Sequence, residues 1–305
     1  TEDSLVAAED TNVGNESVDI QQQEPVEISE LETTENNDLS KSSESITVDE
    51  SIAEDILATQ ADTAVVVGTV SDYLTAKGDA KLYNINLPAG VYLQAQLTTP
   101  ANADLDYDLY LLDAEGNILT GSDYYTYING TAGTLPEALG YITSGDTATY
   151  YLYVLASEGG SVSESFTLDY SVSTACDSYE IDESVRQALA FTYGAGGAYI
   201  ESRNLSSPID NDWYVITVPS SRIYDKLKIS ATTASTNTCS VEVYQNVASE
   251  GYQMKRVGSG NTISVSSGKY YIRVSNAKTM ENFDDLDIQN YKLSITPILK
   301  ATGIV

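Results

Sequence analysis

The most chemically suggestive stretch of the sequence is a carboxylate-rich turn that leads into an aromatic strand. It reads Asp-Asn-Asp-Trp-Tyr at residues 210–214, contains the only tryptophan, and continues as alternating residues up to Pro219. A weaker copy of the pattern lies at residues 78–88. Calcium in proteins is held by about six to eight oxygens, several of them from carboxylates. The stretch therefore predicts a strand entry in a small β-domain, with a candidate cation position at the turn.

A second carboxylate group, formed by Asp104, Asp106 and Asp108, is the other candidate for a calcium site. With Glu115 these residues have the spacing of an EF-hand loop, but Leu109 stands where that loop needs glycine. In a strand the three carboxylates share one face at intervals of about 6–7 Å, too far apart to meet at one ion without a bend. We therefore reject an EF-hand and keep a loop-borne calcium site as an alternative.

Tyrosines in a Tyr-rich and Gly-rich loop predicted at residues 121–140 form the candidate ligand surface. The residues concerned are Tyr124, Tyr125 and Tyr127. Exposed tyrosines can stack on sugar rings or anchor a protein partner. The alternative is that they pack over the end of a β-sandwich.

Composition restricts the classes of function. The chain has 45 acidic and 15 basic residues, a net charge of −30, so its field repels nucleic acid and attracts cations or basic partners. It has no histidine, which removes Ser-His-Asp and Cys-His catalysis and every zinc site that uses histidine. Two carboxylates could still hydrolyse a glycoside, but no feature selects a pair. We predict a protein without catalytic activity.

The cysteines and the apolar runs bear on cross-linking and anchoring. Cys176 and Cys239 are too few for a disulfide scaffold, and one bridge or two buried thiols are both open interpretations. The sequence has no run of about 18 apolar residues, so we predict no membrane span. Any lipid or wall anchor would lie outside the chain given.

The candidate residues lie on what the sequence pattern predicts as two β-domains behind an acidic segment. Residues 1–60 carry 17 acidic residues, one lysine and no aromatic residue, so we predict that 1–61 is a largely disordered linker or tail. Short alternating strands separated by turn residues fill 62–173 and again 174–298. This pattern predicts an all-β protein of two tandem antiparallel, jelly-roll-like β-sandwiches, followed by a tail at 299–305.

Tyrosines recur at corresponding places in the two predicted domains. The matched positions are Tyr83 with Tyr214, Tyr110 with Tyr244, and Tyr150-Tyr151 with Tyr270-Tyr271. Their offsets are 131, 134 and 120 residues, so the copies would differ mainly in the lengths of their loops. The recurrence predicts duplication of one β-domain.

Three stretches of the second domain resemble the pre-peptidase C-terminal domain, an accessory β-sandwich found beside many secreted bacterial peptidases. Residues 177–184, 210–214 and 267–274 are similar to the family's patterns yEpNdS, D-x-D-x-Y and aGtYyirV. The first domain shares the later patterns but lacks the acidic opening segment. The shared stretches are 78–83, 87–90, 103–110 and 149–154. Together the two matches cover most of residues 62–298.

The resemblance implies a calcium site. In the related collagen-binding domains of clostridial collagenases, the opening acidic segment and an Asp-rich loop hold calcium together. The matching residues here are Glu180, Asp182, Asp210 and Asp212. The chain departs from the family pattern at Ile181, which stands where the family has proline, and in two acids that replace the family's Asn-Asp. The alternative is a solvated, charged strand edge that discourages edge-to-edge pairing.

The resemblance and the composition together predict a non-catalytic binding or accessory protein that is secreted by bacteria or attached to their surface. Its partner would be an extracellular protein, a glycan or another polymer, with calcium as a candidate modulator. A structural spacer or adhesin stalk is one alternative, and a carboxylate-based hydrolase is the other.

Overall fold

The chain folds as an all-β protein, as the sequence predicts. The computed structural model describes residues 44–45, 65–128, 131–133, 135–174, 176–233, 239–249, 251–276 and 289–300. Within these residues the chain forms twenty strands, which assemble into four sheets, and one short 3-10 helix at Val185–Gln187. No helix in this part of the chain is long and apolar enough to cross a bilayer.

The first sandwich consists of a five-stranded and a four-stranded sheet, antiparallel except where β1 runs parallel to β3. In spatial order, the strands of the larger sheet are β1 Glu44–Ser45, β3 Ala80–Leu87, β10 Ala148–Glu158, β5 Asp106–Leu112 and β6 Ile118–Ser122. Those of the smaller sheet are β2 Val65–Asp72, β11 Phe166–Ser173, β4 Tyr92–Thr98 and β9 Glu137–Ile142.

The second sandwich consists of a seven-stranded and a four-stranded sheet. The strands of the larger sheet are β12 Leu189–Ala190, β14 Asn211–Val218, β19 Gly268–Ser275, β16 Ser240–Asn246, β17 Gln253–Ser259, β7 Tyr125–Ile128 and β8 Thr131–Gly133. Those of the smaller sheet are β13 Ala198–Leu205, β20 Gln289–Leu299, β15 Tyr224–Thr233 and β18 Thr262–Ser264. Parallel pairs occur between β12 and β14 and between β17 and β7.

Alternation along the strands gives each sandwich its own apolar core, because successive side chains of a strand point to opposite faces. In β5, Tyr107 and Leu109 are wholly buried in the first core, and in β14, Tyr214 and Ile216 are buried in the second. Between the two inward residues of β14 lies Val215, which packs on the other face of the sheet. Both faces of β14 are therefore covered at its N-terminal end.

The two sandwiches have the same strand order. The larger sheet runs β1-β3-β10-β5-β6 in the first sandwich, and the corresponding strands of the second run β12-β14-β19-β16-β17. In both sheets the edge strand, β1 or β12, runs parallel to its neighbour, β3 or β14. The smaller sheets run β2-β11-β4-β9 and β13-β20-β15-β18. This correspondence is the arrangement that duplication of one β-domain predicts.

The tyrosine matches differ in how well they fit this correspondence. Tyr83 and Tyr214 lie opposite equivalent residues of β10 and β19. Tyr110 and Tyr244 lie on the equivalent strands β5 and β16, but they are two residues out of register with each other. That match is wrong by two residues, because a shift of two residues leaves a side chain on the same face of a strand, so neither alternation nor residue type sets the register.

The largest departure from the sequence prediction concerns residues 121–140, which we expected to form a loop. In the structure β6 ends at Ser122, β7 and β8 form a hairpin, and β9 begins at Glu137. β7 pairs in parallel with β17, where Tyr125 lies opposite Gln253. The first sandwich thus supplies two strands to the seven-stranded sheet of the second. No sequence pattern within either segment predicts a pairing between strands so distant in the chain.

A third apolar cluster, here called the junction cluster, joins the two sandwiches. Its buried members are Tyr124, Leu135, Val185, Ala188, Trp213, Tyr244, Met254 and Tyr271. The first two come from the first predicted domain and the others from the second, and Trp213 is wholly buried among them. All the residues that the structure describes belong to one compact unit. The predicted boundary at 173/174 therefore separates two sandwiches that share an apolar interface.

The two predicted terminal segments fall mostly outside the described residues. Of the acidic segment 1–61 the structure describes only β1, which adds a short parallel strand to β3. Of the segment 299–305 it describes two residues, ending at Lys300. Disorder in the acidic segment stays a prediction.

The two cysteines do not pair. Cys176 is exposed, Cys239 is partly buried, and both are free thiols. Burial raises the pKa of Cys239 to about 12, which keeps this thiol protonated and unreactive at neutral pH. Of the two interpretations left open by the sequence, unpaired thiols are observed, although neither thiol is fully buried.

Candidate cation-binding site

The candidate site forms where three segments of the second sandwich meet. They are the acidic segment 177–183, the end of β13, and the turn 206–210 that leads into β14. Asp177 ties the first two segments together, since its Oδ1 accepts a hydrogen bond from Tyr179 N at 2.8 Å and its Oδ2 accepts one from Asn204 N at 2.9 Å. The acidic segment is therefore fixed beside β13 through one of its own carboxylates.

The turn before β14 orients the carboxylate of Asp210. Ser206 donates to Asp210 Oδ2 from its backbone N and also from its Oγ, the latter at 2.8 Å. The backbone N of Asp210 in turn donates to Ser207 O at 3.3 Å. These bonds use one oxygen of the carboxylate, and the other, Oδ1, is left without a hydrogen-bond donor among the described residues.

A wholly buried guanidinium, that of Arg203, lies among the acidic residues. It forms ion pairs with Asp177 and Asp182, and its Nη2 lies 3.1 Å from Asp212 Oδ1. Its Nε donates to the Tyr214 hydroxyl at 2.6 Å. Burial alone would lower the pKa of Arg203, but the surrounding carboxylates outweigh it and raise the pKa above its ordinary value. The planar fork of the guanidinium thus contacts three carboxylates at once, although its single positive charge can balance only one of them.

The structure brings together all four residues that the resemblance implicated. One oxygen each from Glu180, Asp210 and Asp212 lie within 4.8 Å of one another, and so do oxygens from Glu180, Asp182 and Glu183. Glu180 belongs to both groups and is half-buried, whereas the other members are buried. A set of ligands made only of oxygens suits a hard cation such as calcium.

Six buried side-chain oxygens at this site have no hydrogen-bond donor among the described residues. They are Gln94 Oε1, Glu180 Oε1, Asp182 Oδ1, Glu183 Oε2, Asp210 Oδ1 and Asp212 Oδ1. Only Asp212 Oδ1 is compensated in another way, by its ion pair with Arg203. An unsatisfied buried polar atom costs roughly 1–3 kcal/mol, and a charged one more. A cation among these oxygens would remove that cost.

Burial raises the pKa of the carboxyl groups in both oxygen sets. For Glu180 and Glu183 burial is the largest cause, and the charge of Asp210 raises the pKa further. For Asp182 burial again comes first, followed by the charge of Asp212. The groups therefore cannot all carry negative charge at neutral pH without further positive charge. A divalent cation would favour the deprotonated forms, so its binding should release protons.

The first sandwich covers this site. The Tyr92 hydroxyl donates to Glu180 Oε2 at 2.9 Å and also contacts Glu183. Gln94 Nε2 donates to Glu183 Oε1 at 2.9 Å. A Cβ atom at Gly140 would lie 2.3 Å from Glu183 Oε2, so a side chain at this position of β9 would displace the carboxylate. The site lies between the two sandwiches.

The expected alternative, a solvated strand edge, does not describe these residues. Asp182, Asp210 and Asp212 are each at most 1% exposed. A carboxylate can discourage pairing with the sheet edge of another molecule only if it is exposed to solvent. The charge of this cluster is directed into the molecule, where it needs a counter-charge.

The second carboxylate group does not converge. Asp104 is exposed in the turn before β5, whereas Asp106 and Asp108 lie on that strand. Asp108 Oδ1 accepts a hydrogen bond from Ser157 Oγ at 3.3 Å. Within the described ranges, these three carboxylates form no group of ligand atoms close enough for one ion. The loop-borne calcium site considered as an alternative has no geometric support in the structure.

Tyr124 is not part of an exposed surface. Its side chain is 2% exposed and packs edge-on against Trp213, with ring centroids 6.2 Å apart. Tyr124 therefore packs inside the protein, as the alternative to an exposed ligand surface predicts. Tyr125 and Tyr127 lie on β7, and only their backbone is described. Ligand binding through those two side chains stays a prediction.

Sequence reasoning missed three members of the site. Glu183 directly follows a proposed ligand, Asp182, so its signal was present in the acidic segment. Gln94 alternates with apolar residues on β4, a pattern that predicts a solvent-facing side chain, yet it is 1% exposed. Arg203 has no local signal, because its partners Asp177 and Asp182 lie 26 and 21 residues earlier.

Comparisons with known proteins leave the family open. No protein-family model matches the chain, and no curated protein matches it in sequence. Among solved structures, a periplasmic inhibitor of g-type lysozyme from Aeromonas hydrophila is 11% identical, with 42% of this chain and 93% of that chain covered, at a TM-score of 0.22. The CUB1-EGF-CUB2 region of human MASP-1/3 is also 11% identical, with 76% and 99% covered, at a TM-score of 0.21. TM-scores this low carry no argument about function.

Proposed function

We propose that this chain is a non-catalytic accessory protein of a bacterial cell surface or secretome, with a calcium site beside the second sandwich and an extracellular partner. The observation that carries the calcium site is the set of buried, unpartnered carboxylate oxygens on Glu180, Asp182, Glu183 and Asp210. Cysteine and histidine ligands, which suit transition metals, are absent from this set. Hard oxygen ligands in a cluster with too little positive charge favour calcium.

Calcium would act on stability through two effects. It would satisfy oxygens that are otherwise buried without a donor, and it would compensate carboxylates that Arg203 does not reach. A ligand that binds only the folded chain stabilises it by about 2.7 kcal/mol at a concentration 100 times its Kd. The folded protein should therefore be markedly more stable with calcium than with a chelator.

The test is thermal unfolding of the full chain in chelator and in millimolar calcium, for the wild type and for Asp210→Asn. We expect calcium to raise the Tm of the wild type by several degrees, as a gain of about 2–3 kcal/mol implies for a chain of this size. In Asp210→Asn the amide oxygen can still accept from Ser206, while the site loses one charged ligand. We expect this variant to retain its fold and to lose most of the calcium effect.

The matched control is Asp225→Asn, which removes the same charge from an exposed position of the second sandwich. Its calcium-dependent rise in Tm should equal that of the wild type. If the wild type shows no rise, the chain has no stabilising calcium site. If the control variant loses the rise as well, the effect is one of net charge and not of coordination.

The partner is proposed as an extracellular protein or polysaccharide. The resemblance to an accessory domain of secreted enzymes supports a binding role, and the net charge of −30 favours a basic or polar partner over an acidic one. Glycan and matrix-protein arrays probed with the full chain, with calcium and with chelator, would identify the class. Binding that appears only with calcium would connect the partner to the cation site.

One observation favours a structural spacer as a second candidate. The junction cluster and the shared seven-stranded sheet join the sandwiches through both apolar contacts and backbone hydrogen bonds. A stiff two-domain unit of this kind suits a stalk as well as a binding module. Negative results on both arrays would favour the spacer.

A further inference from the structure

The outer face of β4, which points away from the first core, is covered by the acidic segment 177–183 of the second sandwich. The Tyr92 hydroxyl donates to Glu180 Oε2 at 2.9 Å. Gln94 Nε2 donates to Glu183 Oε1 at the same distance. Tyr92 is 2% exposed and Gln94 is 1% exposed. In the first sandwich this face of the smaller sheet is therefore an interface that receives an acidic segment.

The corresponding face of the second sandwich is open. It belongs to β15, which has the same place in its sheet as β4 has in the first sandwich. Leu227 and Ile229 of β15 are buried in the second core, whereas Lys226 and Lys228, which alternate with them, are exposed. Neither lysine forms an ion pair among the described residues, although Asp225 precedes Lys226 on the strand. Two unpaired ammonium groups thus lie where the first sandwich contacts carboxylates.

The neighbouring strands extend this open face with small polar side chains. Lys226 lies opposite Ser264 of β18. Lys228 lies opposite Thr262 of β18 and Thr296 of β20, and all three hydroxyl residues are exposed. None of the residues paired with the two lysines is acidic. The face therefore has a local positive charge, although the chain has a net charge of −30, and it suits a carboxylate-rich partner.

The correspondence between strands identifies a second acidic segment in the chain. In 177–183, acidic residues lie at three-residue intervals, and β12 begins six residues after the last of them, Glu183. The same spacing occurs in 32–38, since β1 begins six residues after Asp38. The matched acids are Asp177 with Glu32, Glu180 with Glu35, and Glu183 with Asp38. Residues 32–38 lie outside the described residues, so this correspondence is one of sequence.

We propose that copies of this chain associate head to tail, with the acidic segment 32–38 of one copy on the outer face of β15 of the next. The contact repeats, between molecules, the contact that joins the two sandwiches of one molecule. Lys226 and Lys228 take the place of Tyr92 and Gln94 as the groups that contact the carboxylates. This partner is additional to the extracellular partner of the proposed function, and the contact does not depend on the calcium site.

A second copy of the chain is the occupant that the sequence itself supplies. Residues 1–60 contain 17 acidic residues and one lysine, so the acidic segment lies in the most negatively charged part of the chain. Opposite charges steer two surfaces together and fix their register, whereas the remaining surfaces of two such acidic molecules repel each other. Exposed ion pairs contribute only about 0–1 kcal/mol each. The association should therefore be weak and selective for this face.

The experiment measures the mass of the full chain by sedimentation velocity over a wide range of protein concentration. We expect the mass of the wild type to rise beyond that of a dimer, because a contact between two different surfaces does not close after two copies. Replacing both Lys226 and Lys228 by Gln should raise the dissociation constant by about tenfold, or about 1.4 kcal/mol.

The matched control replaces Lys255 and Lys269 by Gln. These two exposed lysines lie on the seven-stranded sheet, so the control has the same net charge as the first variant without a change on β15. Its dissociation constant should remain close to that of the wild type. If the control weakens association as much as the first variant does, the effect is one of net charge and the proposed contact is wrong.

A second variant, with Glu32→Gln, Glu35→Gln and Asp38→Asn, removes the charge from the other side of the contact. Alone, this variant and the Lys226, Lys228 variant should each stay monomeric. Mixed in equal amounts they should form a dimer that does not grow further, because only one intact pair of surfaces remains. A mixture that stays monomeric would contradict the contact, as would a second variant that associates like the wild type. A wild type that stays monomeric would overturn the inference and would leave the calcium site and the extracellular partner unaffected.

Discussion

Arg203 and the carboxylates around it behave as a unit in which each charge depends on the others. The guanidinium is wholly buried and pairs with Asp177, Asp182 and Asp212. Removing one member of such a group leaves the remaining charges buried without compensation, which is more costly than the net contribution of the intact group. The side chain is therefore central to the stability of the second sandwich, whether or not a cation is bound.

Replacement of Arg203 tests this dependence. Arg203→Met keeps the length of the side chain and removes its charge, and we expect a loss of roughly 3–5 kcal/mol in the free energy of unfolding at pH 7. The measurement is urea unfolding followed by circular dichroism. Arg256→Met is the control, because Arg256 forms a partly exposed ion pair with Glu242 and should cost less than about 1 kcal/mol. Equal effects of the two substitutions would contradict the internal role of Arg203.

Asp108 provides a separate test based on pH. Burial raises its pKa from the ordinary value of 3.8 to about 7, and the neighbouring Asp106 adds to the shift. Between these two values the unfolded chain releases the proton while the folded chain keeps it. The folded state thus loses stability as the pH rises from about 4 to 7, and this group has no effect below that window.

Asp108→Asn should therefore be more stabilising at high pH than at low pH. A shift of one pKa unit corresponds to about 1.4 kcal/mol. We therefore expect the variant's gain in free energy of unfolding over the wild type to be on the order of 2 kcal/mol larger at pH 8 than at pH 5. Urea titrations at the two pH values measure the difference. The exposed Asp146→Asn should show no such change, and a pH-independent effect of Asp108→Asn would contradict the raised pKa.

At this scale the sequence identified some ligands and missed others for physical reasons. Glu180, Asp182, Asp210 and Asp212 were implicated by resemblance, and the fold brings them together. The role of Gln94 depends on a second sandwich lying against β4, which no local pattern encodes. The same is true of the distant pairing partners of Arg203.

The hairpin of β7 and β8 is the element that distinguishes this molecule from two sandwiches joined by a linker. It leaves the first sandwich after β6 and extends the sheet of the second by pairing with β17. Tyr124 directly precedes β7 and packs against Trp213. The backbone pairing and the junction cluster therefore support each other, and loss of the cluster should weaken both.

Tyr124→Ala tests the contribution of the junction cluster. Truncation of a buried aromatic side chain typically costs roughly 3–5 kcal/mol, and we expect a loss of that size together with a red shift of the Trp213 emission. Tyr73→Ala is the control, because Tyr73 is 42% exposed and should be nearly neutral. A loss of stability without any change in Trp213 emission would mean that Tyr124 does not shield the tryptophan.

The elements that the sequence predicted are those with strong alternation and clear turns. β3 and β14 lie within the alternating stretches 78–88 and 210–219 that the sequence predicts as strand entries. Residues 121–140, which we expected to form a loop, instead contain β7, β8 and parts of β6 and β9. β13 carries the charged residues Glu201 and Arg203 in its middle, and β7 is paired with the distant strand β17. These strands depend on pairing between segments that are distant in sequence, which a local pattern does not predict.

For the molecule as a whole, the central feature is that two sandwiches of equal strand order share a sheet, an apolar cluster and an acidic site. The first two are described in the structure, and the cation in the third is our proposal. Two domains coupled this strongly should unfold together, because exposure of either one breaks the interface of both. The two-domain architecture was predictable from sequence repetition, whereas the extent of the interface was not.

Differential scanning calorimetry of the full chain, in chelator and in calcium, tests the shared cation site most directly. We predict one transition in each condition, with a calorimetric enthalpy equal to the van't Hoff enthalpy, and a shift of the whole transition to higher temperature with calcium. Two resolved transitions of which calcium moves only one would contradict a site shared between the sandwiches. A single transition that calcium does not move would contradict the cation site itself.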